Sequence, residues 1–180
     1  KFASGSSSRS FFGPLAAWDK ESGEIYKIQT DLKLAMIMLV LNDKQKPVSS
    51  REGMKRCMET STNFKEWIEE SRQDYKDMLD YLAGNDFEQV GQLTERNALA
   101  MHATTRTATP AFSYLTEESH KAMDFVRDLR AAGHACYFTM DAGPNVKVLC
   151  LEEDLDQLVP LFDARYRTIV SKTKDPQDED

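Results

Sequence analysis

The stretch TMDAGPNVKV, residues 139–148, decides the fold of this 180-residue chain. It ends a β-rich run over residues 134–140, turns at Gly143-Pro144, and opens a second alternating run over 146–151. Two such runs around a glycine-containing turn predict a β-hairpin. Alternation predicts that one side chain set faces a core and the other a less apolar surface. The core set is Cys136, Phe138 and Met140, and the other set is Tyr137, Thr139 and Asp141.

Asp141 ends the first strand at the edge of a turn made of small residues. A strand end beside a turn can hold a side chain rigidly while leaving it accessible to a ligand. Asp141 is therefore a candidate catalytic carboxylate. An aspartate that only hydrogen-bonds its own turn is the alternative, and this segment alone leaves it open.

Composition limits the classes of function. A chain of 180 residues fits one domain or a large lobe of a bigger protein, and its 41% apolar content is enough for a packed core. The net charge is −7, and no basic stripe is interleaved with aromatic residues, which argues against nucleic acid as the partner. An anionic ligand would need local Arg or Lys side chains and backbone N–H groups, because the overall field repels it.

Cysteine and histidine spacing indicates neither disulfides nor zinc. Cys57, Cys136 and Cys150 lie far apart, which predicts buried reduced thiols in a cytoplasmic protein. The histidines form no ligand-spaced cluster with them. The longest apolar run, residues 34–41, is too short to cross a bilayer, so no membrane partner is expected. The chain opens without methionine, and we expect it to be part of a longer polypeptide.

The spacing of apolar residues along the chain predicts an α+β fold, with an antiparallel sheet flanked by helices that are set to one side. We divide it into an opening and turn at 1–31, an α+β lobe at 32–171 and an acidic tail at 172–180. Predicted strands are 32–41, 134–140, 146–151 and 167–171. Predicted helices are 49–58, 64–83, 86–104, 116–133 and one from about 152 to 162, with a short helical or turn segment at 11–18.

The serine-rich opening SGSSSRS, residues 4–10, is a second candidate site. If a helix starts near Ser7 or Ser8, its unpaired N–H groups and the hydroxyls form an anion site. Arg9 beside them can bind a carboxylate or phosphate with two parallel hydrogen bonds. A flexible linker is the alternative. No Lys-Ser or Lys-Thr follows its glycine, so it is not a Walker-type phosphate loop.

Five blocks together resemble the diphosphomevalonate decarboxylase family, most closely its Gram-positive bacterial type. Their order and spacing match over nearly the whole chain and correspond to the C-terminal half of such an enzyme. That family belongs to the galactokinase, homoserine kinase, mevalonate kinase and phosphomevalonate kinase superfamily. The resemblance therefore implies an α+β C-terminal lobe that closes a cleft against an N-terminal lobe. The blocks are residues 4–13, Trp18, residues 49–54, residues 97–102 and residues 140–145.

The resemblance also implies a reaction. The family uses ATP and Mg²⁺ to phosphorylate the 3-hydroxyl of mevalonate 5-diphosphate, then loses phosphate and CO₂ to give isopentenyl diphosphate in isoprenoid biosynthesis. By resemblance, Asp141 is the catalytic aspartate, and Ser8 and Arg9, with Ser7 beside them, contact the substrate. ATP and Mg²⁺ would be bound largely by an N-terminal half that this chain lacks, so we expect the chain alone to be inactive. We also expect a homodimer.

Two departures and two alternatives accompany the resemblance. Phe12-Gly13-Pro14 replaces the Gly-Gly of many members, and we expect this to change the backbone geometry just after Arg9; the missing N-terminal half is the other departure. The alternatives are a small-molecule kinase of the same superfamily and a non-catalytic lobe that binds a ligand or forms a dimer surface. The DAGPN block favours the decarboxylase.

We interpret His102 as a capping or hydrogen-bonded histidine rather than part of a cleft floor, and Glu52 as a capping-box acceptor.

Overall fold

A computed structural model of the chain describes residues 15–42 and 48–173. A short hairpin comes first, made of β1 (Ala16–Trp18) and β2 (Ile25–Lys27). The main sheet has four strands in the order β4-β5-β3-β6, and all neighbouring strands are antiparallel. Its strands are β3 (Leu34–Val40), β4 (Cys136–Thr139), β5 (Val146–Leu151) and β6 (Arg167–Lys172).

Helices fill the connections between these strands. The helices are α1 (Ser50–Thr60), α2 (Phe64–Ala83), α3 (Phe87–Arg106), α4 (Glu117–Ala131) and α5 (Leu155–Asp163), the last preceded by a 3₁₀ turn (Glu152–Asp154). β3, α4, β4, β5, α5 and β6 follow one another in the β-α-β-β-α-β order of a ferredoxin-like unit, and α1–α3 are inserted between β3 and α4. This arrangement confirms the predicted α+β class and antiparallel sheet.

The larger core lies between one face of the sheet and helices α4 and α5. Removing these apolar side chains from water is the main favourable contribution to the fold. The predicted core set of the first hairpin strand is confirmed, because Cys136, Phe138 and Met140 are all buried. The strands contribute Ile37, Leu39, Phe138, Val146 and Val148, and the helices contribute Met123, Val126, Leu158 and Phe162.

A second apolar cluster lies against the opposite face of the sheet. There α2 and α3 cover the end of the sheet that contains Leu34, Tyr137 and Leu149. The predicted one-sided layering is therefore wrong, and Tyr137, expected on the less apolar face, is buried. Alternation identifies the face on which a side chain lies, but it does not show what packs against that face. The helical residues of this cluster are Leu82, Phe87 and Val90.

The outer edge of β4, which pairs with no further strand among the described residues, is covered by a charged pair from two helices. Glu95 of α3 accepts a hydrogen bond from the Phe138 backbone N–H at 3.0 Å. Arg130 of α4 donates to the Cys136 carbonyl at 3.0 Å. The two side chains bind each other through hydrogen bonds of 2.7 and 3.1 Å. They thus occupy the positions that a further strand would use, and this protects the edge from pairing with another chain.

Gly91 lies where α3 approaches β4 most closely. A Cβ atom at this position would lie 2.0 Å from Cδ2 of Tyr137, far inside van der Waals contact. The ring cannot move away easily, because Phe87 packs edge-on against it and the Arg130 guanidinium lies 4.7 Å from its centroid. The glycine therefore has a packing reason in a helix interior.

We expect Gly91→Ala to lower the free energy of unfolding by about 1–3 kcal/mol, the range for overpacking. This loss is expected although alanine has a higher helix propensity than glycine, a difference that alone would stabilise α3 by about 1 kcal/mol. Urea unfolding of the chain measures it. Gln92→Ala, on the exposed side of the same helix, is the control and should stay within about 0.5 kcal/mol of the unchanged chain. A Gly91→Ala chain as stable as that control would contradict the close packing.

Most predicted elements are confirmed, with shifts at their ends. β5 coincides with the predicted 146–151 strand, and α2 ends at Ala83 with Gly84 as its C-cap, as expected. The segment 11–18 is corrected, since Ala16–Trp18 is a strand and 11–14 lie outside the described residues. Its pairing with β2 across the Asp19–Gly23 turn was not predicted. Within the described ranges, no helix is long and apolar enough to cross a membrane.

Two helix starts were predicted correctly. The Ser49 hydroxyl accepts the Glu52 backbone N–H at 3.2 Å, which caps α1. The interpretation of Glu52 as a capping-box acceptor is wrong, because its carboxylate instead forms an ion pair with Arg56 at 3.0 Å. Thr116 caps α4 in a reciprocal capping box with Ser119. Side-chain oxygens at these positions satisfy N–H groups that have no partner within the helix.

Candidate active site

Asp141 lies directly after β4, in the turn that leads to β5. Its side chain is 64% exposed, which agrees with its predicted position at the edge of the turn. Thr139, two residues earlier, pairs with Lys147 across the hairpin. The carboxylate therefore lies at the end of a rigid strand and is accessible to a ligand.

Neighbouring elements fix the turn around Asp141. Asn145 Oδ1 accepts hydrogen bonds from the backbone N–H groups of residues 41 and 42, at 2.8 and 2.9 Å, at the end of β3. Ser119 of α4 donates to the Pro144 carbonyl at 2.6 Å. The Gly143 N–H donates to the Asp141 carbonyl at 2.7 Å. None of these three sets of hydrogen bonds uses the Asp141 carboxylate, so they hold the turn in place independently of that side chain.

Lys147 of β5 binds the Asp141 side chain. Its Nζ lies 2.9 Å from Oδ2 of Asp141. The sequence patterns did not identify this residue. Its signal was the hairpin register, because a pairing of Thr139 with Lys147 puts the lysine on the same face as Asp141, one step from the turn. That register becomes known only when the number of residues in the turn is known.

His102 of α3 lies beneath this turn. It is 1% exposed, and neither ring nitrogen makes a well-formed hydrogen bond to a described group. Burial lowers the pKa of His102, while the nearby backbone of Asp141 acts in the opposite direction. The ring is therefore neutral at pH 7. His102 is buried under the turn next to the Asp141 backbone, and its interpretation as a hydrogen-bonded histidine stays a prediction.

A cavity of about 490 Å³ opens beside the site, between α2, α3 and the end of β4. Its wall reaches Thr139 and Met140, which directly precede Asp141. Asp74, also on the wall, accepts hydrogen bonds from Asn97 at 2.8 Å and from Arg96. The cavity at the end of β4 therefore has a mostly apolar wall with a few fixed polar groups, the usual character of a small-molecule site, but the Asp141 side chain does not line it.

The other candidate groups fall into three classes. Ser7, Ser8 and Arg9 lie outside the described residues. Across the described part of the chain, no three His, Cys, Asp or Glu side chains are placed to hold a metal ion. The three cysteines are free and buried, as predicted. Burial raises the pKa of Cys136 to about 11 and that of Cys150 to about 12, so both thiols stay protonated at neutral pH.

Comparisons with known proteins agree with this geometry. The family model described as "Mevalonate 5-diphosphate decarboxylase C-terminal domain" matches residues 36–179. The diphosphomevalonate decarboxylase of Candida albicans is 29% identical over 169 residues, which are 88% of this chain and 47% of that protein. The chain thus spans about half the length of the curated relatives that it matches.

Solved structures share the fold. The mevalonate pyrophosphate decarboxylase from Streptococcus pyogenes has a TM-score of 0.93 and 71% identity, covering 97% of this chain and 55% of that one. MDDEF in complex with MVAPP, AMPPCP and magnesium has a TM-score of 0.85 and 37% identity, covering 95% and 57%. The resemblance found in the sequence blocks is confirmed. The chain belongs to the mevalonate 5-diphosphate decarboxylase family, as a match to its C-terminal domain.

Proposed function

We propose that this chain supplies the substrate-binding and catalytic-aspartate half of an ATP-dependent decarboxylase. The enzyme would convert mevalonate 5-diphosphate to isopentenyl diphosphate in the mevalonate pathway. The observation that carries the proposal is the exposed Asp141 carboxylate on a turn fixed by β3 and α4. The family match and the MVAPP complex of a relative support it. The complete enzyme would consist of this chain together with an N-terminal half that supplies the ATP site.

Asp141 acts in the first step of the proposed reaction. The 3-hydroxyl is a tertiary alcohol and a poor nucleophile, so a carboxylate within hydrogen-bonding reach has to orient it or accept its proton. The hydroxyl oxygen then forms a bond to the γ-phosphorus of ATP as ADP leaves. In the second step the C3–O bond breaks and phosphate departs. The electron pair of the bond to the carboxylate forms the new double bond as CO₂ leaves.

ATP and Mg²⁺ are assigned to the N-terminal half. A relative has been solved with AMPPCP and magnesium, which supports their use in the family. The contribution proposed for this chain is to bind and orient the substrate and to handle the hydroxyl proton. A cytoplasmic homodimer completes the proposal. The surface proposed for the partner is the edge strand β6, on which Ile169 and Val170 are exposed on opposite faces.

Arg9 and the serines beside it are proposed to bind the anionic groups of the substrate. Arg9→Ala in the complete enzyme should weaken substrate binding by about 2–4 kcal/mol, because one partner of a desolvated charge pair is lost. Arg9→Lys should rescue only part of this, since an ammonium cannot make the two parallel bonds of a guanidinium. Titration calorimetry with mevalonate 5-diphosphate measures the change.

Arg72→Ala is the matched control for Arg9, because Arg72 is an exposed arginine of α2 paired with Glu69 at 2.8 Å. It should bind the substrate normally. If Arg9→Ala binds the substrate with unchanged affinity, Arg9 is not part of the binding site, and the serine-rich opening would then be interpreted as a linker.

A product assay tests the proposed function itself. The complete enzyme, given mevalonate 5-diphosphate and ATP, should release CO₂ and inorganic phosphate in amounts equal to the ADP formed. ADP without CO₂ would identify a kinase that stops after phosphoryl transfer. Neither product would indicate a non-catalytic lobe.

A further inference from the structure

The ion pair between Lys147 and Asp141 has no part in the steps proposed above. Its two residues come from the two sides of one hairpin, with Lys147 on β5 and Asp141 just beyond the end of β4. Lys147 Nζ meets Oδ2 of Asp141 at 2.9 Å, a normal length for a charge-assisted hydrogen bond. The contact thus fixes one oxygen of the carboxylate that faces the substrate in the proposed reaction.

Lys147 differs from the solvated lysines of the surface. Its side chain is only 25% exposed, because in the sheet it lies between Thr139 on β4 and Met38 on β3. Lys121 of α4, by contrast, is 57% exposed and shared between Glu117 and Glu118. Exposed pairs hold no single geometry and contribute little to stability. A packed lysine stem aimed at one carboxylate oxygen restricts the rotation of that carboxylate.

We propose that Lys147 is a positioning residue for the reaction, holding Oδ2 of Asp141 so that the carboxylate meets the 3-hydroxyl in one orientation. The inference rests on the proposed function and adds a residue to it. Proton acceptance by a side chain depends on its geometry, and a misplacement of about 1 Å can cost about 10²-fold in rate. Lys147 therefore acts on turnover through Asp141 and not through contact with the substrate.

Removing the lysine should change turnover and leave substrate binding almost unaffected. Lys147→Met in the complete enzyme should lower kcat by about 10- to 100-fold with KM little changed, because the carboxylate loses its anchor and the substrate keeps its contacts. Lys147→Arg, which retains a cation of similar reach, should restore part of the loss. The assay is ATP-dependent CO₂ release from mevalonate 5-diphosphate, in single-turnover mode for the slow variants.

Repeating the Lys147→Met change in an Asp141→Asn enzyme distinguishes a positioning role of Lys147 from direct contact with the substrate. If Lys147 works through Asp141, then Lys147→Met should cause no further loss in an enzyme that already contains Asp141→Asn, so the two changes are not additive. Lys172→Met is the matched control. Lys172 is also a strand lysine, on β6, with its Nζ 3.0 Å from a Glu152 carboxylate oxygen and away from the turn. It should retain full turnover and a thermal midpoint similar to that of Lys147→Met.

Each other outcome overturns the inference. If the enzyme is active and its Lys147→Met variant turns over normally, Lys147 has no positioning role, and the proposed function stands. An equal loss in both backgrounds shows that Lys147 acts on the substrate directly. An equal loss in Lys172→Met shows a general effect of removing a strand lysine. A complete enzyme that releases no CO₂ overturns the proposed function, and the inference with it.

Discussion

Asp141→Asn in the complete enzyme is expected to lower turnover by at least about 10²-fold, and by up to about 10⁴-fold, the usual contribution of a general base. The carboxamide has nearly the same shape and still accepts a hydrogen bond, but it cannot take the hydroxyl proton. Substrate affinity should be largely retained. Folding should be retained too, because the turn is held by Asn145, by Ser119 and by its own backbone.

Thermal midpoint and ATP-dependent CO₂ release, measured on the same Asp141→Asn protein, separate chemistry from structure. If Asp141 only ties its turn, the pattern reverses, with a lower midpoint and near-normal turnover in the protein that folds. Asp124→Asn is the control, because Asp124 of α4 is likewise an exposed aspartate, bound to Arg127 at 2.7 Å. It should change neither quantity by much.

Glu95→Ala should produce the largest loss of stability, about 3–5 kcal/mol, the range for removing one partner of a buried ion pair. The change leaves the Phe138 N–H without its acceptor and Arg130 without its carboxylate. A loss of this size is a large part of the net stability of an ordinary domain. Glu95→Gln should cost less, since its amide oxygen can still accept from the Phe138 N–H.

Urea unfolding of the chain measures this loss. Glu88→Ala is the control, because Glu88 is an exposed glutamate in the first turn of α3, hydrogen-bonded to Gln92 at 2.9 Å. It should stay within about 0.5 kcal/mol of the unchanged chain. If Glu95→Ala behaves like Glu88→Ala, water replaces the carboxylate at the β4 edge and the pair has no structural role.

Local patterns in the sequence were sufficient to predict the elements that frame the site. The alternation in β4 and β5 gave the hairpin and the exposed position of Asp141, and the capping residue Thr116 gave the start of α4. These signals are local, since they depend on neighbours a few residues apart. The strand β1 was missed because three residues are too short to show a period.

The rest depends on contacts between residues distant in the chain. Glu95 and Arg130 are 35 residues apart, and neither shows in its own neighbourhood that it caps a strand edge. Tyr137 was placed on the correct face but with the wrong exposure, because the covering helices are specified elsewhere. Lys147 needed the hairpin register. The catalytic role proposed for Asp141 rests on the resemblance, since its exposure alone fits many aspartates.

The proposed mechanism depends most on contact between the Asp141 carboxylate and the substrate hydroxyl. A crystal structure of the complete enzyme with mevalonate 5-diphosphate and a non-transferable ATP analogue tests that contact most directly. We predict one carboxylate oxygen of Asp141 about 2.6–3.2 Å from the 3-hydroxyl oxygen, within hydrogen-bonding reach, and Lys147 Nζ still bound to Oδ2. A 3-hydroxyl bound by another group, with the Asp141 carboxylate farther away than one water molecule can bridge, would contradict the claim.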